Sequence, residues 1–303
     1  MRTPSFWKTN NLTTTLLAPF SQIYGYITQY RIKNTTPYKS STYVICVGNI
    51  TAGGVGKTPI SIALAKKYKQ EGKKVFFLTR GYKGKLKNIL VDLNKHTPAQ
   101  TGDEARLLAQ TAPTIISPNR KDGAKLAEKL GAEIIIMDDG FQNPSLKKDE
   151  SILVFDGSYG IGNGKIIPSG PLRETLETGL KRATSVIIMG EDKTNLKSQI
   201  TIPCYQGTII PDVLELDNKN VLAFAGIGHP QKFYETLQKL GYNLIKTKDF
   251  EDHHTYTTDE LNDLKKYAEE NNAYLITTEK DYVKIPKEYH KDIYCLKIKA
   301  TWK

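Results

Sequence analysis

Gly48-Asn49-Ile50-Thr51-Ala52-Gly53-Gly54-Val55-Gly56-Lys57-Thr58-Pro59 follows the apolar run Tyr43-Val44-Ile45-Cys46-Val47 and opens a helix-patterned stretch from Ile60 to Gln70. Strand, glycine-rich loop, Lys-Thr and helix in that order make a phosphate cradle. Glycines let successive backbone N–H groups and the helix N-terminus turn toward one anionic group. Lys57 then reaches the β- and γ-phosphates, and Thr58 offers its hydroxyl to Mg²⁺. Thr51, Ala52, Gly53, Gly54, Val55, Gly56, Lys57 and Thr58 are therefore the expected contacts of a nucleoside triphosphate. Thr51 stands where the strict pattern has glycine, so the assignment leans on the Gly-Lys-Thr end and its strand-to-helix setting.

Outward from this loop, strand and helix patterns alternate: Val75 to Thr79, Asp103 to Gln110, Thr114 to Ser117, Asp122 to Leu130, Ile134 to Met137, Ile152 to Phe155 and Val186 to Met189. Such alternation predicts a mainly parallel sheet with helices on both faces. The long stretch Gly157 to Glu177, with Gly162-Asn163-Gly164 and Pro168-Ser169-Gly170-Pro171-Leu172-Arg173-Glu174, is expected to cover the site. A new α/β unit begins at Val221 and contains a helix capped by Thr257 with Glu260 in capping-box spacing. The predicted fold is α/β, a P-loop NTPase-like, mainly parallel sheet domain with a second, smaller α/β domain and an N-terminal amphipathic helix. The predicted divisions are a basic arm at 1–37, the sheet domain at 38–197, an extended linker at 198–217, the smaller domain at 218–290, and at 291–303 a strand returning to the linker.

At 303 residues with 39% apolar residues, the sequence is that of a globular chain and not a disordered or fibrous one. Three widely spaced cysteines, Cys46, Cys204 and Cys295, without CxxC spacing, indicate neither disulfides nor zinc. Neither a signal peptide, with Arg2 and Lys8 leading into a threonine-rich stretch, nor an apolar run long enough to span a bilayer is expected. The net charge of +11 is uneven, since the first acidic residue is Glu71. Within the arm, Leu12, Leu16, Phe20, Ile23, Ile27 and Tyr30 recur at helical spacing, with a kink or start at Pro19. Two readings stand foremost, a helix lying in the headgroups of an anionic membrane or one packing its stripe on the protein's own core, with nucleic-acid binding a weaker third. No motif for nucleic-acid binding accompanies the charge.

Ile134-Ile135-Ile136-Met137-Asp138-Asp139 is an apolar strand ending in two carboxylates, the Mg²⁺ partner that a phosphate loop requires. Because strand ends cluster at one sheet edge, Asp138 or Asp139 is placed beside Thr58 in preference to forming a mere Asp-Gly turn. Asp103, at a loop-to-helix boundary, is either a helix cap or the carboxylate that receives a hydroxyl proton in phosphoryl transfer. Asp252-His253-His254 either supports such a base or is a pair of ordinary loop histidines. Arg80, Arg120 and Arg173 are phosphate clamps or surface ion-pair partners.

Taken in order, the phosphate loop, Arg80-Gly81-Tyr82, Gly102-Asp103-Glu104, Asp138-Asp139-Gly140-Phe141-Gln142, Gly162-Asn163-Gly164, Gly170-Pro171-Leu172-Arg173-Glu174, Ala225-Gly226-Ile227-Gly228-His229-Pro230, Asp252-His253-His254 and Thr278-Glu279-Lys280-Asp281 resemble the motifs of the tetraacyldisaccharide 4′-kinase family. The resemblance spans nearly the whole chain, and Leu16 to Ser21 with Tyr24-Gly25 is similar to that family's membrane-associating helix. It implies an enzyme of lipid A synthesis that uses ATP and Mg²⁺ to phosphorylate the 4′-hydroxyl of a tetraacylated disaccharide 1-phosphate at the cytoplasmic face of the inner membrane, giving lipid IVA. It also implies Asp103 as base with His253 as its partner, Mg²⁺ held by Thr58, Asp138 and Asp139, and Asn49, Arg80, Arg120, Gln142 and Arg173 as substrate contacts. No obligate protein partner is implied. Lys83 and Asn143 depart from residues common in the family, Gly and His. A GTPase is excluded because a guanine-reading Asn-Lys-x-Asp is missing, and a partitioning ATPase because Ala52 replaces its signature lysine. The non-enzyme alternative is a basic peripheral membrane protein that binds nucleotide as a switch.

Overall fold

The computed structural model describes residues 4–303; Arg2, read as part of the basic arm, lies outside the described residues. The chain divides into two compact units, one running through Ile209 and including Ala300–Lys303, the other Ile210–Lys299.

The arm forms two helices, α1 (Leu12–Leu16) and α2 (Ala18–Lys33). Asn11 and Thr14 make a reciprocal capping box, and Pro19 occupies the first turn of α2, where its missing N–H is not needed. The apolar stripe faces outward: Leu12, Leu16, Phe20, Ile23, Ile27 and Tyr30 are all more than half exposed. What packs inward is small and polar. Thr14, Ser21 and Gly25 are buried, and Ser21 Oγ donates to the Ile166 carbonyl at 2.7 Å while accepting from the Ser169 N–H at 3.0 Å. The stripe is therefore not a core face, and of the two sequence readings only core packing is ruled out. No described helix is long and apolar enough to cross a membrane.

The larger unit continues with β1 (Tyr43–Gly48), α3 (Lys57–Gln70), β2 (Val75–Thr79), β3 (Ile89–Leu90), α4 (Pro98–Thr101), α5 (Asp103–Ala109), β4 (Thr114–Ile116), α6 (Arg120–Lys129), β5 (Ile134–Asp138), β6 (Glu150–Asp156), α7 (Leu176–Leu180), β7 (Ser185–Met189) and β8 (Cys204–Pro211). Then come β9 (Asn220–Ala225), α8 (Pro230–Lys239), β10 (Asn243–Asp249), α9 (Thr258–Glu270), β11 (Tyr274–Thr278), α10 (Glu279–Tyr282), β12 (Ile293–Leu296) and β13 (Ile298–Trp302). The large sheet has the order β13-β8-β7-β6-β1-β5-β2-β4-β3, and the smaller unit has the order β10-β9-β11-β12. From β8 through β4 the neighbours pair in parallel, with β3 antiparallel at the edge.

Side chains alternate across β1, so Val44 and Cys46 pack on the face covered by Ala124 and Ala127 of α6, while Ile45 and Val47 meet Ile60 and Leu64 of α3. Both faces are covered, which is why the central strands read as unbroken apolar runs. The β1–β5 register sets Val47 opposite Asp138, so the loop after β1 and the carboxylates after β5 leave the sheet side by side. Part of the 198–217 stretch is β8, paired with β7. The terminal 291–303 segment is two strands, β12 beside β11 and β13 beside β8, because the chain changes sheets near Lys297. The apolar pattern from Ile293 to Ile298 runs across that break and hides it.

Candidate active site

Helix α3 begins at Lys57, with Gly56 before it at φ 88°, a left-handed conformation that side chains rarely adopt. Lys57 Nζ lies 3.3 Å from Asn49 Oδ1 and 3.7 Å from Asp139 Oδ1. Asn49 is buried, and its amide donates to the Thr51 carbonyl at 2.6 Å, holding the loop's first turn. Thr51 forms an antiparallel bridge with Leu172, and Ala52 N–H donates to the Pro171 carbonyl at 2.7 Å. The position that departs from the strict glycine pattern is thus used to tie the phosphate loop to the long 157–175 stretch.

Thr58 Oγ1 donates to Asp138 Oδ2 at 3.0 Å, and Ser61 Oγ, one helical turn on, donates to Oδ1 at 2.7 Å. Asp138 is buried, and that burial, with the charge of Glu104 adding to it, pushes its carboxyl up to about 6 against the help of Ser61 and Lys57. Asp139 follows at φ 55°, turning its side chain out of the strand. Desolvation works upward on this carboxyl too, but Lys57 and then Arg173 outweigh it and hold Asp139 below the usual carboxylate range. Arg173 Nη1 is 3.2 Å from Asp139 Oδ1 and also donates to Gln142 Oε1 at 3.2 Å. The hydroxyl of Thr58 and the desolvated carboxylate of Asp138 are hard oxygen donors at the mouth of a phosphate loop, and they fit Mg²⁺, which takes its remaining ligands from phosphate and water.

Close approach of the two segments depends on Gly48: a Cβ there would lie 2.5 Å from Phe141 Cβ. Arg120 opens α6 and is buried. Its Nη1 donates to the Ser117 carbonyl, and its Nε has no hydrogen-bond partner among the described residues. Burial lowers the guanidinium to about 10, with the charges of Asp139 and Asp138 acting against that fall. Arg80 follows β2 and is exposed. Asp103 is the first residue of α5, buried, with Oδ1 accepting the Glu104 N–H at 3.0 Å; Gly102 is the capping residue.

His253 belongs to the smaller unit. It sits at φ 66° with its N–H donating to the Gly226 carbonyl at 3.1 Å, and its Nε2 is 3.7 Å from Asp252 and 3.4 Å from Lys280. His254 is engaged otherwise: it stacks on Phe250 and pairs with Glu260 at 2.9 Å, the residue that also closes the Thr257 capping box. The two adjacent histidines thus have separate surroundings.

Sequence reasoning missed Ser61, Lys148 and Arg182. Ser61 had a signal, since three residues after Thr58 on a helix is the same face. Lys148 and Arg182, which bind the carbonyls of Asn143 and Phe141, had none, because their partners are distant in the chain or unremarkable in type.

The family model described as tetraacyldisaccharide-1-P 4′-kinase matches residues 13–303. A tetraacyldisaccharide 4′-kinase of Paramagnetospirillum magneticum is 44% identical over 308 residues, covering 100% of this chain and 95% of the relative. Another, from Rhodospirillum rubrum, is 41% identical, covering 94% and 89%. Among solved structures, the "apo" form of LpxK from Aquifex aeolicus in complex with ATP superposes with a TM-score of 0.79 at 28% identity over 96% of both chains. With the family model and full-length relatives in agreement, this chain belongs to the tetraacyldisaccharide-1-P 4′-kinase family.

Proposed function

We propose that the chain transfers the γ-phosphate of ATP to the 4′-hydroxyl of a tetraacylated glucosamine disaccharide 1-phosphate, giving lipid IVA. The observation that carries this reading is the phosphate loop whose Thr58 bonds Asp138 at the end of the neighbouring strand, in a chain of this family. Loop N–H groups from Gly53 to Thr58 and the start of α3 hold the phosphate oxygens, the Ala52 N–H being taken by the Pro171 carbonyl, and Lys57 supplies a point charge between the β- and γ-phosphates. Thr58 and Asp138, with Asp139 alongside, would hold Mg²⁺, which when bound neutralises charge on the phosphates. Asp103 accepts the proton of the 4′-hydroxyl as its oxygen forms the new bond to phosphorus and ADP departs with the bridging oxygen. His253 partners Asp103 in the substrate-bound enzyme. Asn49, Arg80, Arg120, Gln142 and Arg173 contact substrate, the arginines matching anionic oxygens bidentately.

The same reading places the chain at the cytoplasmic face of the inner membrane as a peripheral protein. A lipid with four acyl chains leaves a bilayer at great cost, so the enzyme goes to it. The outward apolar stripe of α1 and α2, with Lys8, Arg31 and Lys33 near its ends, supports a seat on an anionic surface. The deciding experiment follows γ-labelled ATP into tetraacyldisaccharide 1-phosphate in mixed micelles with Mg²⁺. Label in the lipid that depends on Lys57 and Asp103 is expected. Hydrolysis to free phosphate alone, with folded protein and competent substrate, favours the nucleotide-switch reading and overturns this one.

A further inference from the structure

Behind the carboxylate pair lies a chain of contacts that starts at Arg182, a residue outside every motif considered above. Glu174 is 2% exposed, with Oε1 accepting from Gln142 Nε2 at 3.0 Å and Oε2 paired with Arg182 Nη2. Arg182 reaches it because α7 and the turn after it fold the chain back across eight residues. The same guanidinium donates from Nη1 to the Phe141 carbonyl at 3.2 Å and lies over the Phe141 ring, 4.4 Å from its centre. One side chain therefore ties the turn that carries Asp139 and Gln142 to the segment that carries Arg173 and Glu174.

An ionised carboxylate only accepts hydrogen bonds. Glu174 therefore fixes which end of the Gln142 amide faces it: the NH₂ group, which also donates to the Asn49 carbonyl at 2.9 Å. The amide oxygen is left for Arg173 Nη1, and that nitrogen is the one beside Asp139. A buried carboxylate stays ionised at modest cost only when a cation meets it with good hydrogen bonds. Arg182 is the cation that pairs with Glu174.

We propose that Arg182 is a positioning residue for phosphoryl transfer, acting through Glu174 and Gln142 to set Arg173 against Asp139. The proposal rests on the reading of Asp139 and Arg173 as phosphate-site residues. Arg182→Ala, Arg182→Lys, Glu174→Gln and the double variant of Ala and Gln are assayed for lipid phosphorylation with Mg²⁺ and ATP, beside melting curves. The displaced Arg173 is expected to lower kcat by about 100-fold in Arg182→Ala with KM for ATP within about twofold. Added guanidinium ion is expected to restore at least about a tenth of the lost rate, and Arg182→Lys to fall between the two. The double variant is expected within about threefold of the slower single variant, because both substitutions cut one line of contacts.

A kcat loss that merely tracks the unfolded fraction overturns the proposal. So does a folded Arg182→Ala that guanidinium does not rescue, or a double variant whose losses multiply. If Arg182→Ala does not fold, the kcat and KM of Arg182→Lys decide by the same criteria. Arg173→Ala run alongside separates the two layers: full activity there removes the site reading itself, whereas loss there with active Arg182 variants removes only this proposal.

Discussion

Replacing Phe20 and Ile23 together by serine is expected to release the protein from lipid while leaving its fold intact. Phe20 is 61% exposed and Ile23 58%, so most of each side chain still has burial to gain. Full burial of such a side chain is worth about 1.5–3 kcal/mol. Scaled by the exposed share, the two contribute roughly 2–4 kcal/mol together when seated among acyl chains. That corresponds to a fall in partitioning of about 30-fold to 700-fold. The assay is co-sedimentation with vesicles of phosphatidylglycerol and phosphatidylethanolamine, at low and high salt because Lys8, Arg31 and Lys33 add a screened attraction. Phosphorylation of vesicle-borne substrate should fall in parallel, and phosphorylation of detergent-dispersed substrate much less. Partitioning equal to the parent's refutes the reasoning. A large drop in melting temperature also refutes it, since it means the stripe packs on protein.

Asp103→Asn keeps an oxygen that accepts the Glu104 N–H, so the helix start survives, while kcat should fall by about 10² to 10⁴-fold with little change in KM for ATP. Loss of ATP affinity equal to the loss of rate contradicts the proton-acceptor role. Gly48→Ala puts a Cβ 2.5 Å from Phe141 Cβ, and the shift needed to relieve it should cost about 1–3 kcal/mol, read as a lower urea midpoint. A parent-like midpoint shows the turn yields freely. Burial pushes the Cys46 thiol up to about 11 from an ordinary 9.0, so the folded chain keeps a proton that the unfolded chain releases from about pH 9 upward. Stability from this group is present below pH 9 and lost toward pH 11, by about 3 kcal/mol. The stability advantage of the parent over Cys46→Ala should shrink by about that much across this range, and a constant difference in urea unfolding is the contrary result.

The sheet domain was legible because its information is local. Apolar runs of strand length, a loop of glycines and a Thr257–Glu260 capping box each declare themselves within a few residues: β1 ends one residue past Val47, α3 ends at the expected Gln70 but starts earlier, at Lys57, and α9 begins directly after the expected Thr257 cap. The pairing of Thr58 with a carboxylate at the next strand end was legible for a topological reason, since parallel strands end at one edge. Which carboxylate it meets was not, because that depends on the register of Val47 with Asp138 and on the left-handed turn at Asp139. The arm shows a different limit. Helical spacing identified the stripe, but only packing tells which face is covered, and here the covered face is the small, polar one of Thr14, Ser21 and Gly25, which carries no hydrophobic signal. Arg182 was opaque for the same reason: Glu174 stood in a motif, but the partner of a buried ion pair leaves no periodicity.

The inverted arm makes sense together with the long 157–175 stretch. That stretch is held at one end by the arm, through Trp7 Nε1 on the Pro168 carbonyl at 2.9 Å, Asn163 N–H on the Trp7 carbonyl at 2.8 Å, and Ser21 on Ile166 and Ser169. Its other end bonds the phosphate loop, with Leu172 bridging Thr51 and the Arg173 N–H on the Ile50 carbonyl at 2.6 Å. A polar inner face is what such an arrangement requires, because irregular backbone offers carbonyls and N–H groups that must be satisfied once buried. An apolar side chain at position 21 leaves them unpaired; Ser21 does not. At Ser21 the inward position of α2 is thus taken by a side chain that bonds loop backbone, and the apolar residues of α1 and α2 lie on the outside. The segment that carries Arg173 beside Asp139 is the same one on which the exposed stripe is mounted.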